Sequence, residues 1–479
     1  MTTRLQRTAL GLMIAGLLGA GWQPATASDV DPSHGTEVAP SAGGAEVSPA
    51  HPLSLDEAVR LAFDRNPDMR AAAERIEQAK ASLGEATSAF FPHVSTRLSY
   101  TRTDNPSQAF GMILSQRRFS FDQNFNNPGP TQDVRPEIIG VLPLFRGGQD
   151  YQRRLAAELG VDTARFERDA VRNSLADAVV AGYYALLAAP EQVQATSASI
   201  DAVTSALTQA RARFDEGTAL KSDVLSLEVR LAAAREAHLS AQNAVELART
   251  GLRVLLGLPA SASLQVAPAP KHSAPELPET FEGSLAEALK QRPELQASAR
   301  LVQIREHELK AERGAYLPRI NAMGTYGQDA TDLGLSSSKD NWTFGAVAEL
   351  DLFSGFRTSE RVRGAERRLA EAREDERKTR LEVERDVKAA MLNLNEARQR
   401  AQVTEAAVAA AEEALRLVQE QYQAGAVIIT RYLDAEVART DARSRAIAAR
   451  YDARRAEGGV QKAIGYWAAA YGSPTPGGQ

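Results

Sequence analysis

The residue types that ordinarily catalyse reactions or bind metals are sparse in this chain and badly spaced for either task. The six histidines, at 34, 51, 93, 238, 272 and 307, are scattered, and His307-Glu308 lacks the second histidine of a zinc-binding H-E-x-x-H helix. The absence of cysteine removes thiolate nucleophiles, disulfides, thiol-ligated metals and an N-terminal lipid carried on an acylated Cys. Neither G-x-x-x-x-G-K-[ST] nor G-x-G-x-x-G occurs, and Gly147-Gly148 reads as the turn into a long helix. The sequence therefore points to no enzyme and no cofactor. The charges that stand out flank two similar breaks, Phe214-Asp215-Glu216-Gly217-Thr218-Ala219 and Tyr422-Gln423-Ala424-Gly425-Ala426-Val427, the second followed by Arg431 and Asp434. Surface-charge statistics alone would make these solvated helix-end groups.

Those breaks belong to an internal repeat. Ser54-Leu55-Asp56-Glu57-Ala58 recurs as Ser284-Leu285-Ala286-Glu287-Ala288, and Pro67/Pro293 and Pro92/Pro318 share a spacing of 226. Leu144-Phe145-Arg146-Gly147 recurs as Leu352-Phe353-Ser354-Gly355 at 208, the spacing also of Phe214/Tyr422, Glu228/Glu436 and Gly257/Gly465. Because the offset changes only between the opening motif and the first proline and again between the second proline and the Leu-Phe pair, the elements elsewhere keep their length, as rigid helices do and loops need not. We expect a first repeat over 53–258 and a second over 284–467, joined by a Pro-rich linker over 259–283 and followed by a tail over 468–479. Each repeat opens with a helix of high propensity running from its first to its second proline. A long helix then spans 147–214 or 355–422, about 100 Å at 1.5 Å per residue, and a medium helix spans 219–257 or 427–465. The short and medium helices, stacked end to end, have nearly the length to pair antiparallel with the long one. Leu155, Leu159, Phe166 and Ala170 form one apolar stripe on the first long helix, and Val171, Leu175 and Ala178 start another, which suits a helix packed between two neighbours.

Between these helices the period changes to two. His93–Tyr100 and Asn341–Leu352 alternate clearly, with Ile138–Leu144 and Ile320–Tyr326 as weaker partners, giving hairpins over about 93–145 and 319–353. Val94, Leu98, Tyr100, Trp342, Phe344 and Leu350 make an apolar, aromatic-tipped face suited to lipid. A sheet packed on a helix would give any single strand the same pattern. Four strands cannot close a barrel, and open edges are not tolerated in lipid, so a membrane reading requires several chains. The stretch from Asp104 to about Val134 reads as a long external loop.

At 479 residues, 24% charged, with a mean hydropathy of -0.32, the composition is that of a water-facing protein, and no segment approaches the roughly 20 apolar residues of a spanning helix. The 56 basic and 61 acidic residues are interspersed, which argues against a nucleic-acid partner. Arg4 and Arg7, the apolar run 9–18 and Ala25-Thr26-Ala27 form a signal peptide over 1–27, with a flexible lead-in over 28–52.

The paired Leu-x-x-Ala-(x)-Pro helix starts, the Phe-Phe-Pro-His and Tyr-Leu-Pro-Arg strand entries, the Leu-Phe-x-Gly turns and the two aromatic-x-x-Gly breaks resemble the TolC-type outer membrane efflux protein family over about residues 53–467. The resemblance implies a homotrimer in the outer membrane of a Gram-negative bacterium, with a twelve-stranded barrel above a periplasmic helical tunnel. It implies a passive duct docked on a periplasmic adaptor and an inner-membrane transporter of RND, ABC or MFS type, serving an efflux pump or type I secretion. Phe214, Gly217, Thr218, Ala219, Gly425, Ala426 and Val427 would then be adaptor-facing tips. Asp434 matches a family gate carboxylate, three of which around one constriction would bind cations, and Asp215 and Tyr422 match gate-closing links. Arg431 stands where a second gate acid can be and is spaced to pair with Asp434. Val427 replaces a gate arginine, so the closing contacts have to differ. The competing expectation is a soluble periplasmic coiled-coil spacer.

Overall fold

The computed structural model describes residues 51–268, 277–334 and 337–471. The expected signal peptide, nearly all of the expected lead-in, part of the Pro-rich linker and the chain after 471 lie outside them. The elements run α1 (Leu55–Arg65), α2 (Pro67–Ser88), β1 (His93–Thr103), α3 (Pro106–Ser115), β2 (Thr131–Arg146), α4 (Gln149–Asp215) and α5 (Lys221–Leu255). They continue with α6 (Phe281–Gln291), α7 (Pro293–Arg313), β3 (Arg319–Gln328), β4 (Asp340–Glu349), α8 (Arg357–Gln423), α9 (Ile429–Ile464) and α10 (Tyr466–Tyr471). Helix α10 carries the end of the expected second repeat on into residues 468–471, which the sequence pattern had assigned to the tail.

Local chemistry explains the repeated starts. Ser54 and Glu57 form a capping box at α1, with the Ser54 N–H donating to Glu57 Oε2 at 2.8 Å. Asn66 then ends α1 and caps α2, its Oδ1 accepting from the Asp68 N–H at 2.7 Å, while Pro67 takes a first-turn position whose N–H needs no partner. The Asn66 Nδ2 also donates to the Leu255 carbonyl at 2.9 Å, which brings the end of α5 to the start of α2. Gly257 completes this junction: at φ +63 a Cβ would sit 2.5 Å from the Arg65 carbonyl oxygen.

Helices α4 and α8 are each 67 residues long. Helix α4 packs against α2 and α5 and also against α7 and α9, while α8 packs against α7 and α9. With α1 and α10 also against it, α4 has a broader burial pattern than two stripes. Leu175 is buried, but Leu155, Leu159, Phe166, Ala170, Val171 and Ala178 are half-buried, and Val161, Ala164, Val179, Val180 and Tyr183 take the deepest positions. The largest core gathers where the two repeats meet, around Val59, Val179, Tyr183, Leu252, Leu256 and Trp467. There the Tyr183 hydroxyl lies 3.1 and 2.7 Å from the carbonyls of Leu53 and Ala267. Among the described residues no helix is long and apolar enough to cross a membrane.

The four strands form one antiparallel sheet in the order β1-β2-β3-β4. Two boundaries differ from the sequence reading. The Asp104–Val134 stretch is not all loop, since it contains α3 and the first residues of β2. Asn105 caps α3, accepting from the Ser107 N–H, and Pro106 follows at the first turn. Leu350 lies just past the end of β4 rather than within it.

Candidate functional site

The two aromatic-x-x-Gly breaks are turns at the ends of α4 and α8. In each, glycine takes the left-handed conformation, φ +80 at Gly217 and +76 at Gly425, so that the following N–H folds back onto the last turn. Thr218 N–H donates to the Arg213 carbonyl at 2.7 Å and Ala426 N–H to the Gln421 carbonyl at 2.8 Å. Phe214, Gly217, Thr218, Gly425 and Ala426 are exposed, as are Leu220 and Ile428 just beyond, whereas Ala219 is half-buried. Val427 is half-buried and packs against the apolar cluster that joins α4, α5, α8 and α9.

Tyr422 is buried in that cluster and stacks on Tyr432 with centroids 5.7 Å apart. Arg213 grips it from α4. Its guanidinium carbon lies 5.4 Å from the ring centroid, and its Nη1 and Nη2 donate to the carbonyls of Tyr422 and Gln423 at 3.3 and 2.9 Å. Both carbonyls lie at the helix end, where the Tyr422 oxygen also accepts from the Gly425 N–H of the turn at 3.1 Å, so one cation serves both the ring and the chain terminus. With valine at 427, Arg213 is the cation that ties the two turns together. Asp215 takes no part, being exposed without an ion-pair partner among the described residues.

Asp434 and Arg431 are likewise exposed, and the expected pair between them does not form among the described residues. The carboxylate that the tip does bind is Glu436, fully buried two residues further along α9. Its Oε2 accepts from Arg230 Nε and Nη2 of α5 at 3.3 and 2.9 Å. Its Oε1 accepts from Ser199 Oγ of α4 at 2.6 Å and Thr440 Oγ1 at 2.9 Å, with Arg439 Nη2 at 3.4 Å. Burial pushes this carboxyl up, but the bonds from Ser199, Arg230 and Thr440 outweigh it and hold it below the usual carboxylate value. Sequence reasoning registered Glu436 as a repeat mate of Glu228 and nothing more. The polar residues at 199 and 440 and the arginine at 230 carry no signature until the fold brings them together.

At the other end, the strand register sorts the side chains by face. Directly opposed residues point the same way, so the pairs Val94↔Gly140, Leu98↔Pro136, Tyr100↔Val134, Ile138↔Tyr326, Gly324↔Phe344 and Tyr326↔Trp342 share one apolar face. Of the residues assigned to lipid, Val94, Leu98, Tyr100, Trp342 and Phe344 lie on it, with Ile138 and Tyr326 added. All seven are exposed. The opposite face carries Arg97 and Glu137, 3.5 Å apart, then Arg135, Asp133 and Asn341. No group of three or more His, Asp or Glu residues is placed to hold a metal ion among the described residues.

A family model described as outer membrane efflux protein matches residues 58–258 and 285–466. The chain belongs to the outer membrane efflux protein family. Its relatives include the outer membrane efflux protein BepC of Brucella suis, 27% identical over 59% of this chain and 61% of BepC, so the match spans about three fifths of that relative's length. The pyoverdine export outer membrane protein OpmQ of Pseudomonas aeruginosa is 23% identical over 86% of this chain and 85% of its own. In structure, the Campylobacter jejuni CmeC outer membrane channel superposes with a TM-score of 0.73 at 19% identity, covering 86% of this chain and 85% of that one. An outer membrane efflux protein is a channel and not an enzyme, and it resides in the outer membrane of a Gram-negative bacterium with its helices on the periplasmic side. That location overturns the soluble-spacer expectation.

Proposed function

We propose that three copies of this chain assemble into a passive outer-membrane duct, the exit of a tripartite efflux pump or type I secretion system. The observation that carries this is the sheet. It has one face lined by exposed Val94, Leu98, Tyr100, Phe344 and Trp342, and its outer strands β1 and β4 have no partner on their free edges among the described residues. Such edges are untenable in lipid unless another chain pairs with them, and three four-stranded sheets give a twelve-stranded barrel. The helices support the same arrangement. Exposed Leu225, Val229, Leu239, Leu247 and Val254 run along α5, and exposed Leu381, Leu392, Val403 and Leu417 run along α8. These stripes suit the flanks of neighbouring copies.

Within the assembly the helical tips form the gate and dock a periplasmic adaptor, which couples the duct to an inner-membrane transporter. Asp434 and Arg431, exposed and unpaired, line the constriction, and the Arg213 and Glu436 links hold it shut. Native mass spectrometry of detergent-extracted protein tests the assembly: a three-chain species is expected, and a monomer under conditions that preserve other outer-membrane trimers would contradict the reading.

A further inference from the structure

Helix α3 lies across the end of the sheet that points away from the helices, on its polar face. Four observations fix it there. Near its start, Gln108 Oε1 accepts from Thr103 Oγ1, at the end of β1, at 3.1 Å. At its end, Gln116 is 1% exposed, and its Nε2 donates to the Gln132 carbonyl at 2.8 Å and to Asp133 Oδ1 at 3.0 Å, on β2. Asn341 of β4 donates to the Ser115 carbonyl at 3.4 Å and to Asp329 Oδ2 at 2.6 Å, and Arg135 of β2 also donates to Asp329. Finally, Arg117 takes a left-handed φ of 53, costly for a residue with a side chain, and its Nη2 donates to the Asp340 carbonyl at 2.8 Å. The ten residues of α3 span about 15 Å, and the three gaps between four strands span about 14 Å. The helix thus bridges the whole sheet from β1 to β4. Thr103, Asp133, Arg135 and Asn341 all belong to the face opposite Tyr100 and Trp342.

We propose that α3 is a lintel across the outward exit of the duct, and that three copies narrow it to an aperture that passes small solutes and excludes polypeptide chains. This rests on the trimeric reading above and adds a cargo class to it: small-molecule efflux rather than protein secretion. With the apolar face toward lipid, the polar face lines the lumen, so α3 lies inside the rim. A twelve-stranded barrel with strands about 4.8 Å apart and tilted by about 40° is about 24 Å across between backbones. A helix about 10 Å wide laid on that wall reaches nearly to the axis, and three fill most of the opening. Ala109 and Ile113 are buried, so Gly111, on the opposite side of the helix and exposed, faces the axis.

The test is polymer exclusion from the purified trimer in planar bilayers, in a Glu436→Gln background so that the closed tips do not limit the current, with neutral polymers added separately on the strand side and the helix side. Gln116→Ala/Asn341→Ala removes the latch and is expected to raise conductance about twofold and to admit larger polymers from the strand side alone. Unchanged conductance and an unchanged strand-side cutoff would overturn the proposal. A second variant does not depend on breaking the latch. A Cβ at Gly111 meets nothing within 4 Å and the chain has no cysteine of its own, so Gly111→Cys can be labelled alone. A bulky thiol reagent applied to that variant is expected to cut conductance by about half, and no change on labelling would remove α3 from the exit. Absence of a three-chain species in native mass spectra would sink the duct reading itself, an outcome separate from either conductance result.

Discussion

Glu228 and Glu436 occupy the same place in the two repeats, 208 residues apart, yet they meet opposite fates. Glu228 is half-buried on α5, paired at 2.6 Å with Arg211, which is exposed on α4. Glu436 is sealed in the bundle with Arg230, Arg439, Ser199 and Thr440 around it. The difference lies in what each helix packs against. Helix α9 lies beside both α4 and α8, so its inward face meets polar groups from the other repeat, whereas at Glu228 the structure offers a single partner at the surface. Duplication supplied the carboxylate twice, and packing made a link out of one copy.

That contrast sets the order of expected effects. Glu436→Ala should have the largest, about 3–5 kcal/mol, because it leaves Arg230 and Arg439 without a counter-charge in a desolvated site. Chemical denaturation of the helical part measures it. Arg213→Ala should come next, removing two hydrogen bonds and the ring contact on Tyr422 together. Proteolysis at the tips should accelerate by about tenfold, equivalent to about 1.4 kcal/mol.

Acid should imitate the first substitution. The Glu436 carboxyl titrates below its ordinary value of 4.5 in the folded chain, so its contribution is complete above that value and is lost as pH falls below it through the folded pKa. A wild-type conductance that rises in this acid range, and a Glu436→Gln conductance flat across it, would attribute the response to this group. Asp434→Ala should weaken block by trivalent cations several-fold without loosening the tip, and unchanged block would move Asp434 off the constriction. Glu228→Ala should be the mildest, within about 1 kcal/mol, as for other pairs at the surface. An effect equal to that of Glu436→Ala would erase the distinction between the two repeats.

The long helices were legible because spacing is conserved between repeats only where length is rigid, and the strands because alternation of Trp342, Phe344 and their neighbours has no helical reading. Helix α3 was missed although Asn105-Pro106 is a helix-start signal. Asn, Gln, Phe and Pro in the surrounding stretch resemble a loop in composition, and ten residues carry little periodicity. Glu436 was illegible for a different reason. Ser199 is 237 residues away and Arg230 is 206 away, and nothing local distinguishes Glu436 from Glu228. The Arg213 link was hidden in the same way: its acceptors are backbone carbonyls, which every sequence supplies.

A single-channel comparison of wild type and Glu436→Gln in planar bilayers tests the central claim, a duct held shut at its helical tips by a buried carboxylate. Glutamine keeps the shape of the side chain and removes its charge, so the account predicts a small wild-type conductance that increases severalfold in the variant. Equal conductances, or no channel from either protein, would contradict it.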